Sequence, residues 1–234
     1  MRYRTLLLDA DGTLLDFDRS ETEAIRKTLR QYQLPDTDEW VEDYHLINES
    51  LWKQLERGEV TKEDLRTIRF ARLLERYGVQ RDVPAMANTY IETLSTLSYL
   101  LPGVLETCRL LSETCRLYII TNGLSVVQRG RLARTPLGEV IRKTYISEEI
   151  GFDKPDVRYF EAVCRDIPDL DPATALVVGD SLTSDMAGGI AAGLDTCWIN
   201  PHNRPIPKNL PIAYSIPSVT ALPALLMRKE DCRL

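Results

Sequence analysis

Histidine is nearly absent from this chain: only His45 and His202 occur among 234 residues, too few imidazoles for a histidine-based zinc site. The five cysteines, Cys108, Cys115, Cys164, Cys197 and Cys232, are odd in number, scattered, and form no C-x-x-C pair. That pattern suits reduced thiols in a cytosol rather than a disulfide framework. Positive charge is short as well. A formal net charge of −6 argues against long nucleic-acid polymers, whose binding is dominated by Lys and Arg neutralising phosphates, but it leaves room for one nucleotide in a locally positive pocket. No apolar stretch approaches the ~18 residues of a spanning helix. The run behind the basic start Met1-Arg2-Tyr3-Arg4 stops at Asp9, short of a signal-peptide core. These absences predict a cytoplasmic protein away from membranes. Low-complexity tracts and internal repeats are also missing.

What is present is the composition of a globular protein, 44% apolar and 27% charged, long enough for one large domain or a domain with an insertion. Leu6, Leu7 and Leu8 form an apolar run too short for a helix, which reads as a strand buried on both faces of a parallel sheet. It ends at Asp9-Ala10-Asp11-Gly12-Thr13, where two carboxylates flank a sharp turn. Open α/β sheets bind ligands at that end of their strands. Asp-Gly between apolar residues is also a hairpin signal, and at this point both readings stand.

From about Asp16 to Ser98 the pattern is helical throughout. Ser20-Glu21-Thr22-Glu23 has the form of a capping box opening a first helix that stops at Leu34-Pro35. A second helix covers about Asp38 to Arg57, a third is capped by Thr61-Lys62-Glu63-Asp64 and stops at Gly78, and a fourth runs from about Pro84 to Ser98. Four helices with no intervening strand predict a small antiparallel bundle inserted over residues 16–98. Residues 1–15 and 99–234 form the remainder. There, strands at Arg116 to Thr121, near Lys143 to Ser147, Ala175 to Gly179 and Thr196 to Ile199 alternate with helices, including a Gly/Ala-rich one from about Ser184 to Ala192. The expected fold is therefore α/β: a Rossmann-like parallel sheet with helices on both faces, plus an inserted helical cap. A proline-rich tail from Pro201 to Pro217 leads to a short last helix.

The strand-to-helix loops of such a sheet open on one edge. The polar residues on that edge are Asp9 and Asp11, Thr121 and Asn122, Lys154 on the long loop after the third strand, and Asp180, Ser181 and Asp185. Crowded carboxylates repel unless a cation joins them, and magnesium suits an all-oxygen site shared with a phosphate. Lys154, Thr121, Asn122 and the turn amides at Gly12 would then face the phosphate. Each has a plainer alternative: Lys154 as a solvated helix-start residue, Thr121-Asn122-Gly123 as a simple turn, Asp180-Ser181 as a helix cap. Their joint order is what points to a site.

Asp9-Ala10-Asp11-Gly12-Thr13, Thr121, Lys154-Pro155 and Gly179-Asp180 with Asp185 resemble the four motifs of the haloacid dehalogenase (HAD) superfamily, and the helical insert resembles its C1-type cap. Asn48-Glu49-Ser50-Leu51-Trp52, Ile120-Thr121-Asn122-Gly123, Ile146 to Gly151 and Thr196 to Asn200 further resemble the YjjG-type pyrimidine 5′-nucleotidases. The resemblance implies a phosphatase for nucleoside monophosphates, with Asp9 as nucleophile and Asp11 as general acid–base. It implies Mg²⁺ held by Asp9, the main-chain carbonyl of Asp11, Asp180 and Asp185, and a transferring phosphoryl steadied by Thr121 and Lys154. Dehalogenases lack the second carboxylate at the position of Asp11, which argues against dehalogenation here. A phosphatase for phosphoglycolate or a sugar phosphate, a sugar-phosphate mutase, and a non-catalytic binding module are the rival readings.

In the cap, Tyr44, Asn48 and Trp52 recur every fourth residue and share a helix face. Either this face packs within the bundle or Asn48 and Trp52 contact the substrate, with Phe17 lining the entrance. The partner expected is a small phosphate ester, and the protein a monomer or dimer.

Overall fold

The computed structural model describes residues 2–227; Cys232 lies outside them. In chain order, β1 (Thr5–Asp9) is followed by four helices, α1 (Phe17–Gln31), α2 (Asp38–Glu56), α3 (Lys62–Arg76) and α4 (Val83–Thr96). Then come α5 (Val104–Ser112), β2 (Arg116–Thr121), α6 (Ser125–Leu132), β3 (Ile141–Ile146), the single turn α7 (Ser147–Ile150) and α8 (Val157–Asp166). The chain continues with β4 (Ala175–Gly179), α9 (Ala187–Ala191), β5 (Asp195–Ile199), β6 (Tyr214–Ile216) and α10 (Leu222–Met227). Among the described residues no helix is long and apolar enough to cross a membrane.

The chain divides into two compact units: 1–16, 99–125 and 135–234 form one, 17–98 and 126–134 the other. In the first, six parallel strands run in the order β3-β2-β1-β4-β5-β6. β1 is thus a central strand, and the order reverses beside it, between β1 and β4, where doubly wound sheets open a ligand crevice. Every residue of β1 and of β4 is buried, because helices cover both faces. Leu7, Ile120, Val177 and Trp198 meet Tyr159, Phe160 and Val163 of α8 on one side. Period-two alternation turns Leu6 and Leu8 to the other.

Several boundaries differ from the sequence-based expectation. The helix expected to start at Ser20 begins at Phe17, so Ser20 and Glu21 lie inside α1 and are buried rather than capping it. The Ser20 hydroxyl instead accepts from Arg131 Nη2 at 3.3 Å. At Thr61 the capping box does form, with Asp64 as its reciprocal partner. The Gly/Ala-rich helix is preceded by a widened π-type turn, Leu182–Met186, which carries Asp185; such turns recur at functional sites. In the proline-rich tail, β6 adds an edge strand beside β5, pinned by Asn200, whose N–H donates to Ile216 O at 2.7 Å.

The second unit is the helical bundle, and it includes residues 126–134 where the expected insert ends at 98. The cause is Arg131. Its Nε donates to Leu97 O at 3.1 Å and its own carbonyl accepts from Ser98 Oγ at 2.8 Å, which ties α6 to the end of the insert.

Candidate active site

The turn after β1 is built by its own backbone: Leu14 and Leu15 N–H both donate to Ala10 O, and Gly12 N–H donates to Leu15 O. Gly12 has φ +77°, and a Cβ there would come within 2.6 Å of Asp180 Oδ2. Only glycine lets the β1 turn and the β4 loop approach this closely. Gly179 serves the same end from β4, where a Cβ would meet Asp185 Oδ2 at 2.2 Å.

Lys154 stands at the middle of the assembly. It is 1% exposed, and its Nζ donates to Asp9 Oδ1 at 2.6 Å, to Asp185 Oδ1 at 2.6 Å and to Ile120 O at 3.1 Å. Burial works against the ammonium, but Asp185 and Asp9 outweigh it and hold it protonated. Burial pushes the Asp9 carboxyl well above the usual carboxylate range, and Asp185 and Asp180 add to this against the pull of Lys154. Burial, then Asp185, raises Asp180 to about 7, with Asp11 adding to the effect.

Asp9, Asp180 and Asp185 offer carboxylate oxygens within 4.8 Å of one another. Three carboxylates against one ammonium leave a buried excess of negative charge, and the donors are all oxygens, so the set fits a hard divalent cation such as Mg²⁺. The Asp11 carboxylate is outside this set; Asp11 is half-buried on the turn itself.

Two side chains take different places from those expected. Asn122 was expected to face a substrate. Its carboxamide instead clamps the Lys154 backbone, donating to Lys154 O at 2.7 Å and accepting from Lys154 N at 2.8 Å. Asn48 is buried inside the bundle, donating to Glu21 Oε1 at 2.5 Å and accepting a long contact from Arg69. Tyr44 is likewise buried, among Phe70 and Tyr90, whereas Trp52 on the same face is half-buried. Thr121 ends β2 as expected, and its Oγ1 accepts from Gly123 N–H at 3.1 Å.

Two supports, Tyr159 and Trp198, were not singled out from the sequence as site residues, and Ser181, expected at the end of its strand, supplies a third. The Tyr159 hydroxyl accepts from Thr121 N–H and donates to Tyr145 O, joining the ends of β2 and β3. Ser181 N–H donates to Asp185 Oδ2 at 3.1 Å, so both Asp185 oxygens are held. Trp198 Nε1 donates to Asp180 O at 3.0 Å and fixes the β4 loop. Tyr159 lies on α8 and Trp198 on β5; the polar tip of an aromatic ring, which finds a partner when buried, was the available signal.

The haloacid dehalogenase-like hydrolase model matches residues 3–193. The chain is 38% identical to the HAD-hydrolase YfnB of Bacillus subtilis over 211 residues, 90% of each protein. It is 36% identical to the pyrimidine 5′-nucleotidase PynA of Streptococcus pneumoniae, covering 87% of this chain and 86% of that protein. It is 32% identical to the pyrimidine 5′-nucleotidase YjjG of Escherichia coli, covering 97% and 100%. A crystal structure of YfnB bound to magnesium superposes with a TM-score of 0.92 at 36% identity, over 97% of this chain and 100% of that one. With all four motifs assembled on one sheet edge and a family model spanning most of its length, the chain belongs to the haloacid dehalogenase-like hydrolases.

Proposed function

We propose that the chain is a magnesium-dependent phosphomonoester hydrolase that works through an aspartyl phosphate on Asp9 and prefers pyrimidine nucleoside 5′-monophosphates. The observation that carries the chemistry is Lys154 Nζ bridging Asp9 and Asp185 inside a buried acidic group. The similarity to PynA and YjjG over most of the chain supports the substrate class. Asp9, Asp180, Asp185 and the Asp11 carbonyl would hold the magnesium, which supplies positive charge against the phosphoryl oxygens.

The remaining roles belong to the chain. Asp9 attacks phosphorus in line, the P–O ester bond breaks, and Asp11 gives its proton to the departing 5′-oxygen. Asp11, now a carboxylate, takes a proton from the water that attacks the aspartyl phosphate, releasing phosphate and restoring Asp9. Lys154 and Thr121 steady the transferring group, and Asn122 acts by positioning Lys154. The half-buried Trp52 and Phe17 remain the candidates of the cap for contact with the nucleoside.

Phosphate release measured for UMP, TMP, AMP, phosphoglycolate, a sugar phosphate and p-nitrophenyl phosphate, with Mg²⁺ and with chelator, tests the reading. The pyrimidine nucleotides should exceed the other natural esters in kcat/KM by at least about tenfold, a difference of about 1.4 kcal/mol in transition-state binding. The Asp11→Asn variant should lose about 10²–10⁴-fold in turnover while staying folded. Equal rates on all esters would remove the substrate assignment, and undiminished turnover in Asp11→Asn would remove the mechanism.

A further inference from the structure

On the helical unit, three side chains stand in the order hydroxyl, imidazole, carboxylate. His45 of α2 lies between two residues of α1: its Nε2 is 3.1 Å from Thr22 Oγ1, and its Nδ1 meets Glu21 Oε2. A carboxylate only accepts, so in the neutral ring Nδ1 carries the proton and Nε2 turns its lone pair to the Thr22 hydroxyl. Asn48 Nδ2 donates to the other Glu21 oxygen at 2.5 Å, and Asn48 Oδ1 accepts a long 3.4 Å contact from Arg69, so the carboxylate is itself held. The Glu21 side chain is 6% exposed, whereas that of His45 keeps 26% and Thr22 is half-buried, so the base and the hydroxyl are within reach of a ligand.

Thr22 lines a groove of about 500 Å³ along α1, shared with Arg19, Arg26, Lys27 and Arg30. These four cations outnumber Asp18 and Glu23 in the same groove, which favours a negatively charged ligand. Residues three before and four after a helical position are its surface neighbours, which sets Arg19 and Arg26 on either side of Thr22. A hydroxyl within hydrogen-bond reach of a base, with the base oriented by a third group, is the arrangement that activates a nucleophile. It is recognised by geometry and roles, not by sequence position.

We propose that Thr22, His45 and Glu21 form a second, metal-independent site, one for acyl transfer from small anionic carboxylic esters. It does not depend on the nucleotidase reading. Thr22 Oγ1 attacks the ester carbonyl carbon while His45 Nε2 takes its proton; the bond from that carbon to the alcohol oxygen breaks, and His45 returns the proton to the departing oxygen. Water then repeats the sequence on the acyl-threonine, giving the free acid and restoring the hydroxyl. Glu21 is a positioning residue that fixes the tautomer of the ring. Arg19 and Arg26 supply positive charge against the charge that develops on the carbonyl oxygen.

Acetylsalicylate, an aryl acetate with its own carboxylate, is the probe, used on the full chain in chelator so that magnesium-dependent chemistry is silent. Peptide mass spectrometry should find acetyl on Thr22. Acceleration over the uncatalysed rate should be at least about threefold greater than for neutral p-nitrophenyl acetate, the scale of an exposed charge pair. Thr22→Val should abolish the label with its circular dichroism unchanged, Thr22→Ser should keep it, and His45→Gln should slow it at least about 10²-fold. The Glu21 bond raises the His45 pKa, with burial opposing and Asp18 and Glu42 adding to it. The acetylation rate should therefore rise with pH through that value, and in Glu21→Gln it should level off at lower pH, a shift that packing alone would not produce. Acetyl found only on other residues overturns the site. So does a Thr22→Val or His45→Gln protein acetylated at the wild-type rate, or a pH profile unmoved in Glu21→Gln.

Discussion

Removing the Lys154 ammonium would leave Asp9 and Asp185 facing one another without the cation that now sits 2.6 Å from each. Lys154→Met is expected to lower turnover by at least about 10²-fold, as loss of a fixed charge at the reacting group commonly does. In chelator it should also lose about 3–5 kcal/mol of stability, because a buried charge stripped of its partner is stranded. Urea midpoints in chelator check the second effect separately from the first. Asn122→Ala acts one step back. It deletes two hydrogen bonds to the Lys154 backbone, each worth about 1 kcal/mol, so kcat should drop about tenfold or more while KM for the nucleotide stays nearly constant. A rise in KM with kcat unchanged would show that Asn122 contacts substrate after all. The sequence could place Asn122 at a strand end and Lys154 on the loop after the third strand but could not say whom they bond. A carboxamide reads the same whether it meets a ligand or a neighbouring main chain, and Asn48 was opaque for the same reason.

At the scale of elements, α1 and α2 are joined by the Glu21 carboxylate, which accepts from His45 and Asn48. The side-chain bond to Glu21 raises the His45 pKa above its ordinary value. A histidine raised on folding stabilises fully below its unfolded pKa of about 6.5, and that contribution disappears as pH climbs through the higher folded value. The urea midpoint of the helical unit should therefore fall as pH rises above about 6.5, and His45→Gln should flatten the dependence. A slope identical in the variant would assign the effect to other groups. The Glu21 link escaped sequence reading because the Ser20 to Glu23 pattern mimics a helix start, whereas Phe17 begins the helix and turns Glu21 inward. Thr61 to Asp64 has the same pattern and does cap, since Gly58 and Glu59 before it have left the helix. Local pattern was decisive only where the chain on its N-terminal side had already turned away from α2. The short β6 was illegible for a related reason: its place depends on pairing with β5, not on its own three residues.

Across the whole molecule, the parallel sheet was readable in outline, though not its strand order, because alternating strands and helices force parallel crossovers, and parallel crossovers put every strand-to-helix loop on one edge. What the alternation could not reveal was the assignment of residues 126–134 to the helical unit, which depends on Arg131 meeting Leu97 and Ser98 from far along the chain. The same global arrangement brings three carboxylates from β1 and the β4 loop together against one lysine, a crowding of like charge that a divalent cation would offset. Such a site exists only in the folded chain, and ion binding therefore adds to stability by mass action, about 2.7 kcal/mol at a concentration one hundred times the dissociation constant. For a chain of this length that corresponds to a rise of roughly 5–10 °C in the melting temperature of the α/β unit. Thermal scans with Mg²⁺ and with chelator should show it without any substrate present. Asp180→Asn should abolish the increment and raise the metal-free melting temperature, since it removes one of the buried carboxylates raised by its neighbours. An Asp180→Asn protein that still gains the full Mg²⁺ increment would place the ion elsewhere.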